Sequence, residues 1–159
     1  MSDPWYEVGK WSIDANMSPL LDKLLTDFTG RISDELFQTL SQAIVCILDC
    51  SKGASSVRLL DISCPPHGDP EMVHHVYTMV FREGLEKLSY KAALGEVVHQ
   101  FAHLALRLQH GVDSEIVPSG DDMANALAIS WGFEEEIKAN IEERQKPRPQ
   151  SFGERRGRL

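Results

Sequence analysis

The residues best suited to chemistry in this chain are two histidines, His99 and His103. On an α-helix, side chains four positions apart lie one turn apart on the same face, so both imidazoles can reach a single cation. Imidazole nitrogen is a favoured ligand of zinc. Two histidines at this spacing also occur by chance in a chain with six of them, so the pair needs support from the surrounding sequence.

The surrounding sequence supplies that support. The predicted helix is otherwise apolar or small on the side that bears the histidines, as a site buried between helices requires, at Ala92, Ala93, Leu94, Gly95, Phe101 and Ala102. A second segment begins at Asp121 and Asp122, whose negative charge suits the N-terminus of a helix. Asn125 follows one turn later among small residues that permit close helix packing.

The span from about Thr78 to Ile137 resembles the minimal gluzincin-type zincin domains of metallopeptidases. The resemblance rests on two blocks, MVFREGLEKLSYKAALGEVVHQFAHLAL and DDMANALAISWGFEEEI. In that family a strand precedes the HExxH helix, and a second helix reads E-x-x-A-D/N-x-x-A. The span covers a little over a third of the chain, and the resemblance is at the level of motifs.

The resemblance implies a zinc ion and zinc-dependent hydrolysis of peptide bonds. It implies that His99, His103 and Asp121 are the zinc ligands, with Asp122 as the third ligand if the register slips by one residue. Asn125 would then steady a histidine or the ligand carboxylate. It also implies that the strand from Val76 to Phe81 binds an extended protein or peptide substrate by edge addition.

Two residues depart from the family pattern. Aspartate at position 121 replaces the usual glutamate, and its shorter reach demands closer helices. Gln100 occupies the position of the catalytic general base, and an amide cannot accept a proton near neutral pH. Either glutamate was deliberately changed to glutamine, which traps a peptidase, or the natural protein is a pseudoenzyme. Glu96, one turn before position 100, is a possible substitute base.

Two further hypotheses stay open. In one, the chain is a non-catalytic module that binds a protein partner or regulates one, with or without metal. In the other, His99 and His103 are polar residues of a helical core that binds no metal. The net charge of −8 argues against nucleic acid as the main partner. No apolar run approaches the roughly 20 residues that cross a membrane.

The hydrophobic pattern predicts the elements that position these residues. Helices are predicted from Ser18-Pro19, over about 34–49, over about 89–110 and from Asp121, the last interrupted at Gly132; strands are predicted over 56–62 and 73–81. This order predicts an α+β, zincin-like domain over residues 1–145, with helices packed on a small, mainly antiparallel sheet.

The ends and the cysteines complete the predictions. Residues 146–159 are rich in arginine, proline and glycine and are predicted to be a disordered basic tail. Cys46, Cys50 and Cys64 are an odd number without a disulfide framework, and the first residues, MSDPWYEVGKW, do not have the pattern of a secretory signal. Reduced thiols in a cytoplasmic protein are therefore expected.

Overall fold

The computed structural model describes residues 5–8, 11–14, 18–41, 43–50, 56–62, 74–110 and 120–146. Within these ranges the strands are β1 (Trp5–Val8), β2 (Trp11–Asp14), β3 (Ile44–Cys50), β4 (Ser56–Ile62) and β5 (His74–Arg82). The helices are α1 (Pro19–Arg31), α2 (Asp34–Ser41), α3 (Tyr90–His110), α4 (Asp121–Ser130) and α5 (Glu134–Gln145). A short 3-10 helix, Glu83–Lys87, leads from β5 toward α3. The predicted tail lies outside the described residues, apart from Lys146.

The strands form a mixed sheet in the order β1-β2-β3-β5-β4. The two outer pairings are antiparallel, and the two central pairings, β2 with β3 and β3 with β5, are parallel. β5 therefore lies inside the sheet, where Val76 is paired with Ile44 on one side and Leu60 on the other. The prediction that an extended substrate adds to this strand is wrong, because both of its edges are already paired.

The predicted fold class is also wrong. Where the structure describes side chains, the architecture is a helical bundle around α3 rather than helices packed on a mainly antiparallel sheet. Residues 92–102 of α3 are all buried, so this helix needs neighbours on every side. α1, α2, α4 and α5 all contact it. The described core includes strand side chains only at Val45, Ile47, Met79 and Phe81.

Most of the predicted helices and strands are confirmed, but one predicted helix is wrong in part. Both predicted strands, the start of α1 with Ser18 as its N-cap, the long helix α3 and the start of α4 are confirmed. The predicted helix over 34–49 is wrong in its second half, because α2 ends at Ser41 and β3 begins at Ile44. A short apolar run such as IVCILDC suits a buried strand as well as a buried helix. Cys46 and Cys50 consequently lie on a strand.

The predicted interruption at Gly132 is confirmed, and it divides the last helical segment into α4 and α5. Gly132 has a φ of 92°, in the left-handed region that favours glycine. The Gly132 N–H donates to Ile129 O at 2.9 Å, and the Phe133 N–H donates to Ala128 O at 3.3 Å. These bonds form a Schellman motif, which ends α4 and lets α5 begin at Glu134. Both helices then pack on α3.

α3 and α5 touch at the backbone. A Cβ atom placed on Gly95 would lie 2.2 Å from the carbonyl oxygen of Glu136 and 3.0 Å from the Cβ of Asn140. Only a residue without a side chain permits this approach. The close contact brings the inward side chains of α5 within reach of the polar residues of α3.

Among the described residues, no helix has both the length and the apolarity that crossing a bilayer requires.

The Gly95 contact predicts an unusual response to alanine. Gly95→Ala should lower the free energy of unfolding by about 1–3 kcal/mol, because the new methyl group overpacks the helix contact. Helix propensity alone predicts the opposite sign, with alanine favoured over glycine by about 1 kcal/mol. Urea unfolding measures the difference.

Gly30 provides the matched control. It is an exposed helical glycine near the end of α1, and nothing lies within 4 Å of a Cβ placed there. Gly30→Ala should stabilise the protein or leave it unchanged. Equal stabilisation by both alanines would contradict the Gly95 contact.

Candidate metal centre

Three potential metal ligands converge between α3 and α4. His99 and His103 lie one turn apart on α3, with ring centroids 4.5 Å apart and ring planes at 88°. Their Nε2 atoms are 3.0 Å apart. Asp121 Oδ1, at the N-terminus of α4, lies 3.2 Å from the His103 Nε2 atom and 3.4 Å from the His99 Nε2 atom. Among the described residues these three form a group able to hold a metal ion.

The side chain of Asn125 orients the imidazole ring of His99 within this group. The Asn125 Oδ1 atom, one turn into α4, lies 2.8 Å from the His99 Nδ1 atom. An amide oxygen is an acceptor, so Nδ1 must carry the hydrogen that it donates. The neutral ring then presents a lone pair on Nε2 toward His103 and Asp121. Metal-binding histidines are commonly oriented in this way through their second nitrogen.

With both imidazole rings uncharged, hydrogen bonds within the group cannot satisfy all three of its facing atoms. His99 Nε2 and Asp121 Oδ1 are both acceptors, and neutral His103 has at most one hydrogen on Nε2 to donate. That hydrogen can serve one of its two neighbours, which leaves lone pairs facing each other across 3.0–3.4 Å. A single cation at the centre would satisfy all three atoms together.

The donor set and its spacing fit a zinc ion. Two imidazole nitrogens and a carboxylate oxygen are typical zinc ligands, and atoms 2.0–2.1 Å from a tetrahedral ion lie roughly 3.3 Å apart. The observed separations of 3.0, 3.2 and 3.4 Å bracket that value. His99 is buried, but the Asp121 side chain is 81 % exposed. One side of the centre therefore faces solvent and leaves room for a fourth ligand.

The electrostatics favour a neutral imidazole at His103. Burial lowers the pKa of His103 below its ordinary value, and the neighbouring His99 lowers it further. The hydrogen bond and the charge of Asp121 oppose this shift without reversing it. A metal ligand must be unprotonated, so a lowered pKa prepares His103 to bind a cation at neutral pH.

The structure places Gln100 outside the metal group. The side chain is buried, and its Nε2 donates to Glu96 Oε1 at 2.8 Å. Glu96 is only 2 % exposed, and its other oxygen accepts from Asn140 Nδ2 at 3.2 Å and from the guanidinium of Arg144. The Glu96 carboxylate is therefore engaged on the α5 side of α3, where it does not act on the metal group.

Sequence reasoning missed both α5 residues that hold Glu96. Phe133, Ile137, Asn140 and Arg144 recur every three or four residues, which is the spacing of one helix face. Two polar residues continue an apolar stripe, and this pattern indicates that they meet polar groups in the core. Asn140 is 5 % exposed and also donates to Ala92 O at 2.9 Å.

Asp122, the other proposed third ligand, does not belong to the metal group. It is exposed on the first turn of α4, one residue beyond Asp121. Its position makes it a matched control for Asp121 in metal binding, because both are exposed aspartates on the same helical turn.

Comparison with protein-family models, with curated proteins and with solved structures found no match to this chain. The geometry of the metal group is therefore the main basis for a functional proposal.

The lowered pKa of His103 predicts how acid affects the metal-free protein. An ordinary histidine has a pKa of 6.5, and folded His103 lies below it, so the unfolded chain binds the proton first as pH falls. Acid therefore favours unfolding, and the stabilisation present above pH 6.5 is lost as pH falls through the folded-state pKa.

Urea unfolding of chelator-treated protein, from about pH 7.5 to about pH 5, measures this loss. The variant His103→Gln should lose less stability than the native chain over that range. Parallel pH profiles for the two proteins would contradict the lowered pKa.

Proposed function

We propose that this chain is a zinc-binding protein whose metallopeptidase-like site does not hydrolyse peptides with glutamine at position 100. It acts as a non-catalytic module that binds or regulates a protein or peptide. The observation that carries the proposal is the convergence of His99, His103 and Asp121, whose ligand atoms face one another at 3.0–3.4 Å.

Three features support zinc binding. The ligand atoms of His99, His103 and Asp121 face one another, and one cation would satisfy all three. The distances between these atoms suit ligands of a tetrahedral ion. Asn125 orients His99 through its second ring nitrogen, at 2.8 Å. His103 has a lowered pKa, so its imidazole is neutral and ready to bind metal.

The surroundings of Gln100 support a non-catalytic role. Its amide cannot accept a proton near neutral pH, and it already donates to Glu96. Glu96 is a poor substitute base, because Gln100, Asn140 and Arg144 all donate to its carboxylate. A bound zinc ion would supply a Lewis acid that polarises a ligand carbonyl, but neither Gln100 nor the engaged Glu96 is suited to accept a proton beside it.

Exposed apolar side chains on α4 support a protein or peptide ligand. Met123 is 37 % exposed, and Ile129 on the same helix is 39 % exposed. Exposed apolar side chains on the helix that carries Asp121 suit contact with a protein or peptide. The odd number of cysteines without a disulfide framework favours a reducing compartment, so we propose that the protein acts in the cytoplasm.

Metal analysis tests zinc binding directly. Protein purified without chelator and analysed by mass spectrometry for first-row transition metals should hold close to one zinc per chain. His99→Ala, His103→Ala and Asp121→Ala should each lower occupancy, while Asp122→Ala should not. Zinc at one hundred times its Kd should stabilise the native chain by about 2.7 kcal/mol.

The comparison of the two aspartates makes the metal test specific. Equal loss of zinc in Asp121→Ala and Asp122→Ala would point to general surface charge rather than to the group described. Zinc below a tenth of stoichiometric, unchanged by the histidine substitutions, would favour a helical core that binds no metal.

An activity assay tests the absence of catalysis. The zinc-loaded native chain, incubated with a broad peptide library and with proteins of its own host, should cleave no more than the His99→Ala variant does. Cleavage that depends on zinc and stops with a chelator would contradict a non-catalytic module. It would favour the alternative, a peptidase that works without glutamate at position 100.

A further inference from the structure

We infer that Glu96 is a positioning residue that determines which side chain position 100 can carry. The two positions share one buried carboxylate: with glutamate at 96, position 100 must be an amide. This inference deepens the proposed function on which it rests, since it gives a physical reason why the general-base position holds no carboxylate.

The first support is the set of donors around Glu96. Its Oε1 accepts from Gln100 Nε2 at 2.8 Å, and its Oε2 accepts from Asn140 Nδ2 at 3.2 Å and from Arg144. Because the carboxylate is 3 % exposed, these protein donors replace the water that a charged group would otherwise bind. Each of the three therefore matters to the stability of the buried charge.

The second support is the charge balance of this network. Arg144 is the cation in contact with Glu96, and its own side chain is half exposed. Asn140 and Gln100 are neutral. One cation balances one carboxylate, so the network has no contact that compensates a second buried negative charge.

The third support is the geometry of position 100. Glutamate has nearly the size of glutamine, so in Gln100→Glu a carboxylate oxygen would replace the amide nitrogen at 2.8 Å from Glu96 Oε1. Two carboxylate oxygens are both acceptors and repel each other. Position 100 is only 5 % exposed, so little solvent is available there to screen two neighbouring carboxylates.

Moving the carboxylate by one turn removes the conflict. In the double variant Glu96→Gln with Gln100→Glu, the pair again has one donor amide and one acceptor carboxylate. The net charge equals that of the native chain, and only the position of the carboxylate changes. The carboxylate then belongs to the residue that follows His99 in sequence, at the position of the general base in the family motif.

A double-mutant cycle tests the shared carboxylate. The native chain, Gln100→Glu, Glu96→Gln and the double variant are compared by thermal unfolding after metal removal. Gln100→Glu should lower Tm by several degrees, and adding Glu96→Gln should restore at least about 3 °C of that loss, which corresponds to about 1 kcal/mol in a chain of this size. If Gln100→Glu fails to fold, recovery of folding in the double variant is the expected result.

Gln109→Glu is the matched control, because it makes the same chemical change on an exposed residue of the same helix. It should shift Tm little, and Glu96→Gln should not rescue any loss that it causes. A double variant no more stable than Gln100→Glu, or Gln100→Glu as stable as the native chain, would overturn the inference.

The visible spectrum of bound cobalt(II) tests the positioning role apart from stability. Cobalt placed at the zinc site should absorb differently in the double variant, because a carboxylate has moved beside His99, and it should absorb identically in Gln109→Glu. An unchanged spectrum in the double variant would mean that Glu96 serves packing alone.

The two readouts separate this inference from the proposed function. If no variant binds cobalt, the zinc site is wrong, and the melting comparison alone decides whether the carboxylate is shared. If cobalt binds and the rescue is absent, the zinc site stands and the role of Glu96 is wrong.

Discussion

The structure depends on the burial of α3 on all sides. A helix with buried residues from 92 to 102 gains stability from its apolar side chains, yet it also carries Glu96, His99 and Gln100 into the core. Buried polar groups cost free energy unless they are hydrogen-bonded, and a buried charge costs more. The neighbouring helices must therefore supply polar partners as well as apolar contacts. The Gly95 contact brings α5 close enough to supply part of them.

The partners come from two helices and divide the polar residues of α3 into two networks. α4 contributes Asn125 and Asp121 to the histidines, and α5 contributes Asn140 and Arg144 to Glu96. The Schellman motif at Gly132 separates these two helices and places both against α3. His99 and Gln100 are adjacent in sequence but face different networks. A candidate metal ligand and a structural amide are thus neighbours on α3, each held by a different helix.

The sequence was more informative about local elements than about their assembly. The histidine spacing, the Ser18 cap and the Gly132 break act within a few residues, so the chain itself predicts them. The β3 segment was predicted as helix because IVCILDC has no period that separates a buried strand from a buried helix. The mixed sheet depends on distant pairings that hydropathy does not encode. The roles of Asn140 and Arg144 were missed because their partner Glu96 lies 44 and 48 residues earlier.

The metal group does not depend on the predicted fold class, which is wrong. Its three ligands and Asn125 come from α3 and α4, and their convergence follows from helix spacing and close packing of small residues such as Ala124 and Ala128. Function is determined by such sites rather than by architecture. The same reasoning limits the likeness to peptidases: the histidine spacing is shared, but the chemistry requires a proton acceptor at position 100. In this chain the amide of Gln100 donates to Glu96, and that contact supports the proposed non-catalytic role.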